Sequence, residues 1–168
     1  MELTQLLHNI HDILYSSRAR TLELVLAGDY ARYLDDFQTA LLSWNDAWAN
    51  LVLSSRIKCV LSLMYEYLCL YVNAFAFQAI VTQESRKAQN SPDDQRSTNA
   101  PRQSLFPRGI MATPEGRYVF EALRAAKAAL RIMGQADPVS CLRYMPARYY
   151  LYGLPSCFRW LNSYHASH

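Results

Sequence analysis

The side chains able to do chemistry in this 168-residue chain are few and mostly isolated. His8 and His11 stand three residues apart, a spacing that can bring two imidazoles to one helix face. A zinc ion normally takes three or four protein ligands, and the neighbouring Asp12 is expected to point elsewhere. The pair therefore reads as part of a polar face, and no metal ligand is assigned. His165 and His168 carry no site either. Cys59, Cys69, Cys141 and Cys157 form no CxxC pair, so neither a structural zinc site nor a dithiol redox motif is indicated. They read as small buried hydrophobes in a reducing, intracellular compartment. The sequence contains no glycine-rich phosphate loop, no nucleophile elbow and no HExxH pattern. No catalytic, cofactor-binding or DNA-binding residue is assigned, and the chain is expected not to be an enzyme.

Three features remain. Glu66 is the only charged residue between Cys59 and Val81, and a buried carboxylate needs an arginine or hydroxyl partner. Arg148 and the C-terminal tyrosines are candidates for that role. Arg124, Lys127 and Arg131 form a basic stripe on one side of a helix; without interleaved aromatic residues it reads as a solvated face and not as a phosphate contact. The twelve tyrosines cluster at Tyr65, Tyr67 and Tyr71 and again at Tyr144, Tyr149, Tyr150 and Tyr152. Interhelical packing with each hydroxyl at a wet edge is their expected role, and the lining of a small-molecule pocket is the alternative.

The elements that position these residues are helical throughout. Leu3, Leu6, Leu7, Ile10, Ile13 and Leu14 make one apolar stripe at steps of three and four. Thr21 is expected to cap a short helix from Leu22 to Ala27, closed by Gly28. A third helix from about Asp29 buries Tyr30, Leu34, Phe37, Leu41, Trp44 and Trp48 and leaves Asp35, Asp36 and Asp46 off the stripe. A fourth runs from Ser55 to Gln83 and is long enough to span a bilayer. Ser62, Glu66 and Asn73 share one polar edge of it, which favours the central helix of a soluble bundle. Residues 84–104 (ESRKAQNSPDDQRSTNAPRQS) hold no apolar side chain larger than alanine and predict a disordered polar insert, taken as residues 84–107. Thr113, Pro114 and Glu115 then mark the start of a helix with Val119, Phe120, Leu123, Ala126, Leu130 and Met133 buried and Gly134 at its end. Arg117 and Glu121 form an expected i,i+4 pair on it. Asp137-Pro138 signals another start, and Gly153 and Pro155 break the last aromatic stretch.

The expected fold is all-α: an irregular multi-helix bundle of one domain, with a first part at 1–83, the insert, and a second part at 108–168. At 51% hydrophobic and 18% charged, with only 5 glycines, the chain is neither wholly disordered, collagen-like nor a disulfide miniprotein. Met1-Glu2 and the helically spaced leucines that follow do not read as a secretory signal. The net charge of +3 divides unevenly, with −4 on residues 1–84 and +7 on residues 85–168, and hints at a charged partner for the second half.

Four blocks taken together, at 2–44, 65–81, 109–132 and 142–153, resemble the regulatory region of fungal zinc-cluster transcription factors, the fungal-specific transcription factor or middle homology domain. They read ELTQLLHNIHDILYSSRARTLELVLAGDYARYLDDFQTALLSW, YEYLCLYVNAFAFQAIV, GIMATPEGRYVFEALRAAKAALRI and LRYMPARYYLYG. A tyrosine-rich helix ending in asparagine and glutamine, a polar insert and an alanine-rich helix follow in the family's order, over nearly the whole chain outside the insert. The resemblance implies a nuclear regulatory domain that dimerises or contacts the transcription machinery and senses a small-molecule effector. DNA reading in that family belongs to a six-cysteine, two-zinc cluster that four scattered cysteines cannot form, so no zinc ligand or base contact carries over. The chain matches the later part of the family's domain, and Gly153, Leu154 and Pro155 interrupt its expected last helix. A truncated product is the corresponding expectation. A single-span membrane protein using residues 59–81 is the alternative.

Overall fold

A computed structural model of the chain describes residues 2–89 and 115–136. Among them stand five α-helices and no strand: α1 (Leu3–Ile10), α2 (Arg18–Ala27), α3 (Tyr30–Ala49), α4 (Ser55–Gln89) and α5 (Gly116–Gln135). The all-α reading holds. The expected insert does not begin at residue 84, because α4 continues through Gln89. Apart from Ala88, Glu84 to Gln89 are polar, but all except Ser85 are strong helix formers, and adding residues to an existing helix needs no new nucleus. The rest of the insert, residues 90–107, and the segments around Asp137-Pro138, Gly153 and Pro155 lie outside the described residues.

The α1 stripe is buried as its spacing requires, with Leu3, Leu6, Ile10 and Leu14 inside. After Ile10 the backbone widens into a π-helical turn, His11–Tyr15, which carries Tyr15 onto α4. The next helix starts a turn earlier than expected. Ser17, not Thr21, is its N-cap, its hydroxyl accepting from the Arg20 N–H at 3.2 Å. Thr21 is buried instead and donates its hydroxyl to the Leu14 carbonyl at 2.8 Å, satisfying a backbone group near the end of the π-helical turn. Gly28 closes α2 as expected, at φ 78°, a left-handed conformation that a side chain would disfavour.

The α3 stripe is buried from Tyr30 to Trp44, but Trp48 is 37% exposed because it lies at the helix end beyond the core. Helix α4 packs against α1, α2, α3 and α5, and its buried residues run around much of its circumference. Phe75 sits at the centre, fully enclosed, with the Tyr15 ring edge-on at 5.5 Å and the Tyr30 ring at 5.8 Å. The Asn73 side chain, 2% exposed, is satisfied on both ends: it accepts from Gln38 Nε2 at 2.5 Å and donates to the Cys69 carbonyl at 2.7 Å.

The expected face of α5 is turned by about one residue. Of the expected stripe Val119 is buried and Leu123, Ala126 and Met133 are part-buried. The buried face centres instead on Tyr118, Ala122, Ala125 and Ala129, and Phe120 (57% exposed) and Leu130 (49%) face outward. The physical reason is distance. Alanines at 122, 125 and 129 let the α5 backbone come close to α4, and the contact between these two helices is the most extensive in the described fold. Close approach gains dispersion contacts along both backbones that bulky side chains would prevent. At its ends α5 departs slightly from expectation: Glu115 precedes the first helical residue, Gly116, and Gly134 lies inside a last turn that runs to Gln135. Thr113 and Pro114 lie outside the described residues.

Candidate functional site

Where α3, α4 and α5 meet, their side chains leave an open groove of about 540 Å³. Lys58, Leu61, Ser62, Tyr65 and Glu66 line it from α4, spaced i, i+3, i+4, i+7 and i+8, so one helix face supplies them all. Trp44, Asn45 and Trp48 come from α3, Leu53 from the segment after it, and Glu121 and Arg124 from α5. Trp44 and Trp48, one turn apart, stack at 5.4 Å with 20° between planes; Trp44 and Tyr65 stack at 6.2 Å and 18°. The result is a three-ring ladder along one wall.

Glu66 stands beside that ladder. Its partner is Arg124, which the stripe reading left to solvent; Arg148 lies outside the described residues. Arg124 Nε donates to Glu121 Oε2 at 2.7 Å, whereas its Nη1 is 3.5 Å from Glu66 Oε2, too long for a good hydrogen bond. Glu66 Oε2 is shut off from solvent and has no hydrogen-bond partner among the described residues. Burial holds the Glu66 carboxyl above its ordinary value, an effect that Arg124 opposes and Glu121 reinforces. All three residues of the basic stripe are exposed, but Arg124 lines the groove and reaches Glu66 and Glu121, whereas Lys127 and Arg131 do not line it, so the stripe is divided.

The raised Glu66 value fixes the sign of a pH effect. The folded chain holds this proton more tightly than the unfolded chain, so stability falls as pH rises from the ordinary 4.5 through the raised folded value. Above that window the destabilisation is complete. Glu66→Gln is therefore expected to raise Tm at pH 7 and to leave it nearly unchanged at pH 3–4, where the native carboxyl is protonated too. Thermal melts across that range check it; a Tm gain independent of pH would point to packing instead of charge.

The other candidate residues do not converge on one site. His8 Nε2 lies 3.1 Å from Asp12 Oδ2, so Asp12 does not point elsewhere: i and i+4 share a face, and the pair is exposed. His11 Nδ1 instead meets the Tyr71 hydroxyl at 3.2 Å, across on α4. No group of three or more metal-ligating side chains occurs among the described residues. Cys69 is buried, and that burial pushes its thiol up to about 12, which leaves it unreactive at neutral pH. Cys141, Cys157, His165, His168 and the C-terminal tyrosines lie outside the described residues. The first tyrosine cluster packs between helices: Tyr15 stacks on Tyr71 at 4.5 Å and donates to the Tyr71 carbonyl at 2.9 Å, and Tyr67 stacks on Tyr71 at 5.9 Å.

A second polar cluster ties α5 to α3. Arg117 does not pair with Glu121; its Nη2 donates to the Asp35 carboxylate at 2.8 and 3.0 Å, and Tyr118 donates to the same carboxylate at 2.8 Å. Glu121 is drawn instead to Arg124, three residues on, which lies on the groove side. The Asp35 cluster is exposed apart from Tyr118 and fixes the start of α5.

Of the groove residues, sequence reading singled out Glu66, Tyr65 and Arg124 separately and placed Ser62 on the edge with Glu66. It missed Trp48 as a lining residue and Glu121 as a partner of Arg124. The i,i+4 tryptophans and the i,i+3 Glu121–Arg124 pair are visible in the sequence; that both meet Glu66 is not. Compared with family models, curated proteins and solved structures, the chain matches none.

Proposed function

We propose that this chain is a non-enzymatic regulatory module of transcription in the nucleus, related to the fungal zinc-cluster regulators it resembles, which acts by binding an effector or a protein partner and carries no DNA-reading element of its own. The observation that carries the reading is the groove. An aromatic ladder beside a half-satisfied, part-buried carboxylate is an arrangement for binding: it offers stacking area and one strongly orienting polar group. The effector reading places the sensed molecule there.

Tethering the chain to a heterologous DNA-binding domain upstream of a reporter tests the proposal. Reporter transcription is expected to change with the tethered chain and to respond to substitution of Trp48 or Glu66. The untethered chain is expected to bind DNA only weakly, without sequence preference and in a salt-sensitive way. An unchanged reporter would sink the reading, and so would tight, sequence-selective DNA binding in an anisotropy assay.

One observation favours a second reading. Within Ser55–Gln83, α4 is long and apolar enough to cross a membrane, with a mean hydropathy of 1.4 over an 18-residue stretch. In the bundle reading the same helix is central because α1, α2, α3 and α5 surround it, and it carries Glu66 and Asn73 on an inward polar edge. Alkali-resistant association with membranes on fractionation would replace the regulatory reading with that of a membrane anchor.

A further inference from the structure

We propose that the groove binds an aromatic amine in its protonated form, the ring lying against Trp48 and the ammonium held by the Glu66 carboxylate. This rests on the groove being the effector site and adds the chemical class of the effector. The volume of about 540 Å³ lies within the range of small-molecule sites. Trp48 ends the ladder with part of its ring open to the groove, so a flat ring extends the stack that Trp44 and Tyr65 begin.

Charge selects among aromatic ligands. Glu66 and Glu121 share a single guanidinium, that of Arg124, whose Nε is already committed to Glu121 at 2.7 Å. Lys58, the other cation of the lining, is exposed. An incoming carboxylate meets two acids around an arginine that is already shared. A neutral ring leaves the Glu66 carboxylate as poorly balanced as before. An ammonium supplies the missing positive charge, beside a carboxylate whose Arg124 contact is 3.5 Å long and beside electron-rich indole faces.

Isothermal titration of the full chain with naphthylmethylamine, naphthylmethanol and naphthoate tests this at neutral pH, where the amine is protonated. The amine is expected to saturate the chain with a Kd at least about tenfold below those of the alcohol and the acid, the range of one charge-assisted hydrogen bond. Glu66→Gln, first shown by circular dichroism to be folded, is expected to weaken the amine by about tenfold and to leave the alcohol closer to its original affinity. Trp48→Ala, likewise shown to be folded, is expected to weaken amine and alcohol alike, because both stack through the same ring. Equal or tighter binding of the acid or alcohol overturns the amine assignment while leaving the groove as an effector site. So does an amine affinity indifferent to Glu66→Gln. If none of the three binds, the amine assignment fails; if groove substitutions also leave the tethered reporter unchanged, the effector reading fails with it.

Discussion

Phe75→Ala is expected to destabilise the chain by about 3–5 kcal/mol, seen as a fall in the urea midpoint with little change in slope. The ring is fully enclosed on α4 and touches elements that are remote in sequence: Tyr15 from the π-helical turn edge-on at 78°, and Tyr30 from the start of α3. Neither aromatic neighbour can follow the shrinking side chain. Tyr15 is held by its bond to the Tyr71 carbonyl and by stacking on Tyr71, and Tyr30 by the first turn of α3, beside the Glu115 carboxylate. A cavity therefore remains, and its cost adds to the lost transfer energy. Against a total stability of about 5–15 kcal/mol for a typical domain, this one change removes a large fraction of the fold. A loss below about 1 kcal/mol would mean that the N-terminal helices do not close over α4 as described.

The second large effect tests which face of α5 is inside. Ala125→Leu adds three carbons at a fully buried position on the face that approaches α4, and is expected to cost about 1–3 kcal/mol or more through overpacking. Phe120→Ala removes a much larger side chain, but one that is 57% exposed, and is expected to change stability by no more than about 0.5 kcal/mol. The hydrophobic stripe read from sequence demands the reverse order, with Phe120 critical and Ala125 tolerant. Paired thermal melts of the two variants decide between them. A larger Tm loss for Phe120→Ala than for Ala125→Leu would overturn the alanine-faced packing.

The contrast between α1 and α5 shows what periodicity can and cannot specify. On α1 the large apolar residues all fall on one stripe, so burying them and burying that face are the same act. On α5 two faces compete: one carries Phe120 and Leu130, the other three alanines with Tyr118. Hydrophobicity ranks the first higher. Close packing against α4 selects the second, because its gain depends on interhelical distance, which no property of α5 alone records. The Tyr118 hydroxyl settles the register at the N-terminal end by reaching Asp35 on α3.

The groove was legible only in pieces, for the same reason. Glu66 stands out as the sole charge of an apolar run, and its need for an arginine follows from desolvation alone. Which arginine answers depends on where α5 crosses α4; it is Arg124 and not a C-terminal residue. Local rules with two solutions were also decided by the surroundings. Ser17 and Thr21 are both competent caps, and the π-helical turn leaves Leu14's carbonyl for Thr21 to take.

What the sequence by itself determined is therefore the part of the protein that depends on neighbours within about one helical turn: the helical class, the inward stripes of α1 and α3, the stop at Gly28, and the anomaly of Glu66. The tertiary structure alone decided the inward face of α5, the division of the basic stripe, the pairing of Glu66 with Arg124 and the joining of Trp44, Trp48 and Tyr65 into one wall. Helix formation is a short-range matter of hydrogen bonds and rotamers. Side-chain partnership across helices is set by how closely their backbones approach, and that distance is fixed by residues on both helices at once.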